Sequence, residues 1–271
     1  MIEIEPLTPH IGARIHGLTL SQCSDDEFEM LYQAFLQHQV VFLENQTLSP
    51  EQHLNLASRF GELEPVHPFF PNVASHHQVS VIETTKGNAP FESLWHTDLT
   101  WRKRPSKCSL LHAQHLPQCG GDTIWCSMSS VYESLSLDLR QKLKSFTATH
   151  SLVAFEDIDP DLVELDWHKD VVKTSEENPP VIHPVVVTHP ETGKETLYIN
   201  EQFTRSINEL DRSESQALLN ELFSVARQPE FQVRFKWSNN AMAIWDNRIT
   251  QHYAVIDYGD TPRKLHRVTV T

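Results

Sequence analysis

Apolar and polar positions alternate in short runs along most of this chain, and only four stretches carry the three-to-four-residue spacing of a helix face. Ile2 and Ile4, then Ile11, Ala13 and Ile15, predict two short strands around Pro6 and Pro9. Val40-Val41-Phe42-Leu43 predicts a buried strand, and Val79 to Glu83 another. Cys108 to His115 reads as a core strand, and Gly120-Gly121-Asp122-Thr123 as a turn into Ile124-Trp125-Cys126. Strands are expected at 181–188 and 195–200, joined by the turn His189 to Lys194. Phe231, Val233, Phe235 and Trp237 alternate with Gln232, Arg234 and Lys236, the mark of a half-buried strand. Ala241–Asp246 and Leu265–Thr271 complete the set.

The helical stretches carry start signals. Ser24 with Glu27 forms a capping box ahead of Phe28, Leu31, Tyr32 and Phe35. Ser49-Pro50 with Gln52 opens a second helix that Gly61 closes. A third is expected over 129–144, with Leu135, Leu139 and Leu143 on one face. Ser213 and Gln216 open a fourth, with Leu218, Leu219, Leu222 and Phe223 as its apolar face. Many strands with a few helices predict a mainly β fold, a jelly-roll barrel with covering helices. No linker divides residues 1–271, so a single domain is expected. Residues 156–180 are strongly acidic and end at Pro179-Pro180; a solvated insertion is expected, with a lid over the site as the sharper alternative.

The net charge of −14 argues against nucleic acid as a partner, because phosphate binding needs a basic face. It leaves room for a small anion held by local arginines. No apolar run approaches the roughly 18 residues of a spanning helix. The four cysteines form no C-x-x-C pair and no secretory signal is visible, so a reduced, cytoplasmic protein is expected.

Chemistry concentrates in Trp95-His96-Thr97-Asp98. On a strand, His96 and Asp98 would point to the same face. One more imidazole would complete a two-His, one-carboxylate face, which suits non-haem Fe(II) with three positions open. With 16 histidines in the chain, most must be structural. His53 is expected to be exposed on its helix; His76, His77, His150, His183 and His189 are read as structural or surface residues, and His266 as the weaker third ligand. His252 is preferred, because Asn247, Arg248 and Gln251 beside it could orient it from behind. Arg263, leading into the last strand, and Arg267, on it, could present guanidinium groups to carboxylates near the metal.

These motifs, with Asn200-Glu201-Gln202-Phe203, His189-Pro190, Gly193-Lys194 and His266-Arg267, resemble the taurine dioxygenase family of Fe(II)/2-oxoglutarate-dependent oxygenases from about Ile4 to Thr271. The resemblance implies a double-stranded β-helix core. It implies Fe(II) on His96, Asp98 and His252, with 2-oxoglutarate and O2 as cosubstrates. Thr123 and Arg263 would hold the two carboxylates of 2-oxoglutarate. His67, Phe70, Glu92, Phe155, Phe203 and Arg267 would line the substrate pocket, with His67 and Arg267 on its anionic group. Taurine-using relatives carry Tyr where Phe70 stands and Asn where Glu92 aligns, so the amine end of the pocket departs from their pattern. Taurine or another alkylsulfonate is therefore the first expectation, and an alkyl sulfate ester or carboxylic acid the second. A homo-oligomer, dimer or tetramer, is expected. Two rival classes remain at this level: a zinc hydrolase or isomerase on the same barrel, which would leave Arg263 without a role, and an inactive binding homologue, against which the complete triad argues.

Overall fold

The computed structural model describes residues 1–85, 93–152 and 173–271. In chain order the strands are β1 (Glu3–Pro6), β2 (Ala13–His16), β3 (Val40–Leu43), β4 (Asn72–Val73), β5 (His76–Thr84), β6 (Cys108–His115), β7 (Thr123–Ser127), β8 (Thr147–His150), β9 (Val181–Pro184), β10 (Val186–Thr188), β11 (Glu195–Leu197), β12 (Thr204–Ile207), β13 (Gln232–Phe235), β14 (Met242–Asp246), β15 (Thr250–Ala254) and β16 (Arg263–Val270). The helices are α1 (Asp25–His38), α2 (Pro50–Ser58), α3 (Met128–Ser134), α4 (Leu137–Leu143) and α5 (Arg212–Ala226).

Eight strands form one sheet in the order β1-β2-β3-β14-β6-β16-β5-β4, with β2–β3 its one parallel pair among the described residues. The sheet β13-β7-β15 packs across from it. Between them lie Phe42, Leu111, Trp125, Phe235 and Trp245, with the Phe42 and Phe235 rings stacked at 4.2 Å. Truncating a fully buried aromatic such as Trp125 costs on the order of 3–5 kcal/mol. The pleat sends Val40 and Phe42 into this core. Val41 and Leu43 point the other way, against Leu31 and Phe35 of α1 and Leu56 of α2. A strand covered on both faces has no polar side to show, which is why 40–43 is apolar throughout. This is the jelly-roll with covering helices that the alternation predicts. A second helical layer, α3, α4 and α5, closes over β8 and β11.

Several local expectations change. The helix expected over 129–144 is two, because Leu135 and Ser136 are extended and the Ser136 hydroxyl accepts from Leu139 N–H to start α4. Leu135 and Leu143 stay buried on either side of the break, so periodicity alone does not register it. Helix α5 is capped by Asp211 in a reciprocal box with Glu214, two residues before the expected Ser213. His53, expected to be exposed, is 1% exposed; its Nε2 finds the Leu110 carbonyl at 3.2 Å, which lets an imidazole sit in an apolar layer. Of the acidic stretch, residues 156–172 lie outside the described residues, and residues 173–177 are helical.

Candidate metal centre

His252 lies on β15, in register with Trp125 of β7, and its ring packs 4.9 Å from that of Trp245. A single antiparallel rung brings His96 opposite. His96 N donates to His252 O (3.1 Å), and His252 N donates to His96 O (2.8 Å). The His96 segment is not the strand expected. It is one rung, anchored by the Thr97 hydroxyl donating to Thr250 O (2.8 Å), before the chain turns at Leu99 with φ 60°. The alternation still delivers both side chains to one point. Asp98 Oδ1 lies 3.8 Å from His96 Nε2 and 3.9 Å from His252 Nε2, and the three ligand atoms fall within 4.8 Å of one another. Among the described residues this is the one such His/Cys/Asp/Glu group.

The donor chemistry suits a divalent cation. His96 Nδ1 is 2.8 Å from Leu94 O, so it carries the proton and leaves the Nε2 lone pair facing Asp98. Burial keeps both imidazoles neutral, pushing His252 down to about 3 and His96 below its usual value. Burial alone would raise the Asp98 carboxyl. The Arg267 guanidinium, helped by the Ser109 hydroxyl, holds it well below the usual carboxylate range. Two neutral imidazoles and a carboxylate form a face that could hold Fe(II) and leave positions open.

Arg267 is 7% exposed, and its Nη1 donates to Asp98 Oδ1 at 3.1 Å, while its Nε has no partner among the described residues. The Phe70 ring lies 5.1 Å from its guanidinium and 4.6 Å from the His67 ring. His67 Nδ1 accepts from Phe69 N–H (3.2 Å), which leaves Nε2–H as a donor, and burial pushes its pKa down to about 3. Phe203 stands edge-on to His96 at 6.2 Å, in an apolar group with Leu99 and Trp101. These residues therefore gather around the metal face. Glu92 and Phe155 lie outside the described residues.

Arg263 and Thr123 flank the glycine turn. Arg263, 6% exposed, donates from Nη2 to Gly121 O (3.0 Å), and its Nε has no partner among the described residues. Thr123 Oγ1 accepts from Trp237 Nε1 (3.0 Å), so its own proton is free to donate. Two buried guanidinium groups whose Nε donors have no partner among the described residues suit anions. The residues present thus fit a divalent metal with an anionic cosubstrate and an anionic substrate.

Sequence reasoning misplaced the support. Neither Asn247, Arg248 nor Gln251 hydrogen bonds to His252. Arg248 pairs with Asp246 (2.6 Å) and Glu191, Gln251 donates to Ile199 O (2.6 Å), and Asn247 binds Ser109. Ser109, which donates to Asp98 Oδ2 at 2.8 Å, was hidden inside an apolar strand pattern. His150, His183 and His189 are structural, as read: the first two rings pack 5.2 Å apart, and His189 meets Asp246 at 2.9 Å.

The family model described as "Taurine catabolism dioxygenase TauD, TfdA family" matches residues 3–269. The chain is 35% identical over 277 residues to an alkylsulfatase of Acinetobacter baylyi, covering 99% of this chain and 84% of the relative. It is 34% identical over 277 residues to an alpha-ketoglutarate-dependent sulfate ester dioxygenase of Pseudomonas putida, covering 99% of this chain and 89% of the relative. The crystal structure of a taurine dioxygenase from Burkholderia xenovorans matches with a TM-score of 0.84 at 35% identity, covering 99% of this chain and 89% of that one.

Proposed function

The chain belongs to the TauD, TfdA family of 2-oxoglutarate-dependent dioxygenases, and within that chemistry we propose that it hydroxylates the carbon bearing a sulfonate or sulfate-ester group on a small aliphatic substrate. As a member it uses Fe(II), with 2-oxoglutarate and O2 as cosubstrates. We read residues 1–271 as one catalytic domain. His96, Asp98 and His252 hold the iron; the Thr123 hydroxyl and Arg263 hold the 2-oxoglutarate carboxylates. Arg267 and the Nε2–H of His67 take the substrate anion, with Phe70 and Phe203 against its carbon chain. Glu92 and Phe155 join the pocket on the strength of the family pattern.

Iron with its cosubstrates supplies the oxidation: R–CH2–X, 2-oxoglutarate and O2 give R–CH(OH)–X, succinate and CO2. The protein binds and orients. Arg267 reaches Asp98 and so fixes the anion one side chain from the metal, which sets the adjacent carbon toward it. The hydroxylated product then eliminates its sulfur group, as sulfite from a sulfonate or sulfate from an ester, and leaves an aldehyde. One observation carries this reading: a buried arginine, with a donor that has no partner among the described residues, beside a compact two-His, one-carboxylate group.

Taurine or another alkylsulfonate is the first reading. One observation favours a substrate without an amine, such as an alkyl sulfate ester, over taurine: Phe70 covers Arg267 with a hydrocarbon ring and offers no hydroxyl to an amine. The names of the two sulfate-directed relatives point the same way. The acidic charge sets nucleic acid aside, four free cysteines suit the cytoplasm, and we keep a homo-oligomer as the assembly. No described helix is long and apolar enough to cross a membrane. Succinate release over taurine, alkylsulfonates, alkyl sulfates and aryloxy acids tests the proposal. Stimulation by sulfur oxyanions supports it, and stimulation by carboxylates alone refutes it.

A further inference from the structure

The carboxylate of Asp98 is held by a hydrogen-bonded chain whose direction can be derived atom by atom. Trp245 Nε1, which can only donate, gives its proton to Asn247 Oδ1 at 2.8 Å. That fixes the Asn247 amide, so its two Nδ2 protons go to Ser106 Oγ and Ser109 Oγ, each at 3.0 Å. Each serine, having accepted, donates onward. Ser106 gives its proton to the Asp98 backbone carbonyl (3.2 Å), and Ser109 gives its proton to Asp98 Oδ2 (2.8 Å). None of these four residues is more than 2% exposed, so water does not compete. Trp245 and Ser109 are register partners on β14 and β6, and Asn247 follows directly after β14. The relay is therefore anchored on the large sheet at Trp245 and Ser109, with Asn247 and Ser106 just beyond the strand ends.

We infer that Trp245, Asn247 and Ser109 are positioning residues that make Asp98 a one-oxygen metal ligand. They occupy Oδ2 and leave Oδ1 aimed at the two imidazoles. The inference rests on reading Asp98 as an iron ligand. Its consequence is coordination number. A carboxylate free to swing would bring a second oxygen to the metal and take one of the three positions that 2-oxoglutarate and O2 require. The Arg267 Nη1 contact of Asp98 falls on Oδ1 itself and leaves Oδ2 to Ser109.

The test is anaerobic Fe(II) binding by chelator competition, with the visible charge-transfer band of the Fe(II)–2-oxoglutarate protein as a second readout. Ser109→Ala is expected to stay folded, to weaken Fe(II) binding about 10–100-fold, and to shift or weaken the band. Ser109→Thr, which restores the hydroxyl, should recover most of that loss. Ser106→Ala breaks a bond of the same network but leaves Oδ2 served, and should lose clearly less than Ser109→Ala. Asn247→Ala keeps Ser109 but frees it to rotate, and should change Fe(II) affinity and band in the same direction as Ser109→Ala. Wild-type affinity and band in folded Ser109→Ala or Asn247→Ala would overturn the inference. So would equal losses in Ser106→Ala and Ser109→Ala, which would mark the network as merely structural. Asp98→Ala separates the two levels: if it keeps wild-type Fe(II) affinity, the ligand assignment itself has failed.

Discussion

Gly121→Ala probes the cosubstrate end of the site with one carbon. Gly121 has φ +73°, in the left-handed region, and a Cβ there would lie 2.9 Å from Arg263 Nε, 3.1 Å from its Cδ and 3.2 Å from a Tyr258 ring carbon. Two costs follow. The backbone strain is about 1–2 kcal/mol, which should lower Tm by about 2–8 °C. The steric cost falls on Arg263, which cannot retreat freely because its Nη2 is bonded to Gly121 O and its ring neighbour Tyr258 is tied to Thr84 at 3.0 Å. Complete loss of a buried guanidinium–carboxylate contact would cost about 2–5 kcal/mol. A displacement that forfeits about 1.4 kcal/mol of it corresponds to tenfold weaker binding. The expected result is therefore a 2-oxoglutarate Kd raised about tenfold or more, read by anaerobic titration of the Fe(II)-loaded protein, with substrate KM unchanged at saturating 2-oxoglutarate. A variant whose Tm falls but whose 2-oxoglutarate affinity stays within a factor of about two would refute Arg263 as the carboxylate partner.

Arg267→Ala should raise substrate KM by at least about tenfold while 2-oxoglutarate turnover without substrate survives; collapse of 2-oxoglutarate binding instead would mean that the two arginines have exchanged roles. Phe70→Tyr should raise succinate release on taurine relative to alkyl sulfates, and an unchanged ratio would remove Phe70 from the specificity argument. His53 is fully buried, and desolvation pushes its pKa from 6.5 down to about 3. The unfolded chain then binds the proton more readily, so His53 favours folding above pH ~6.5, and this contribution is lost as pH falls from there toward 3. At pH ~4.5 the loss is about 2–3 kcal/mol, so urea unfolding should show a smaller drop between pH 7 and 4.5 in His53→Gln than in the natural chain. An equal drop would place the acid sensitivity elsewhere.

The jelly-roll was legible because its strands read as alternating stretches or short apolar runs and its outer helices carry caps and faces. The metal face was legible because His96 and Asp98 sit two apart and His252 follows the Trp245-Asp246-Asn247 end of a strand. What sequence could not give was the partner of each oxygen. Proximity along the chain assigns Asn247 to His252, the ligand nearest in sequence. The sheet places it beside Ser109, 138 residues away, and so behind Asp98. Ser109 itself is a small polar residue in a strand that is buried on both faces, and no periodicity marks such a position. His53 was misjudged for the same reason: a helix pattern says which face is buried, but not that a carbonyl of β6 waits there to accept an imidazole proton.

The central claim is that His96, Asp98 and His252 hold one Fe(II) beside 2-oxoglutarate. It is tested most directly by adding Fe(II) to the 2-oxoglutarate-loaded protein without oxygen. A visible charge-transfer band that saturates at one iron per chain, and is absent in Asp98→Ala, is the expected result. Folded, metal-loaded protein without the band, or an Asp98→Ala variant that retains it, would contradict the claim.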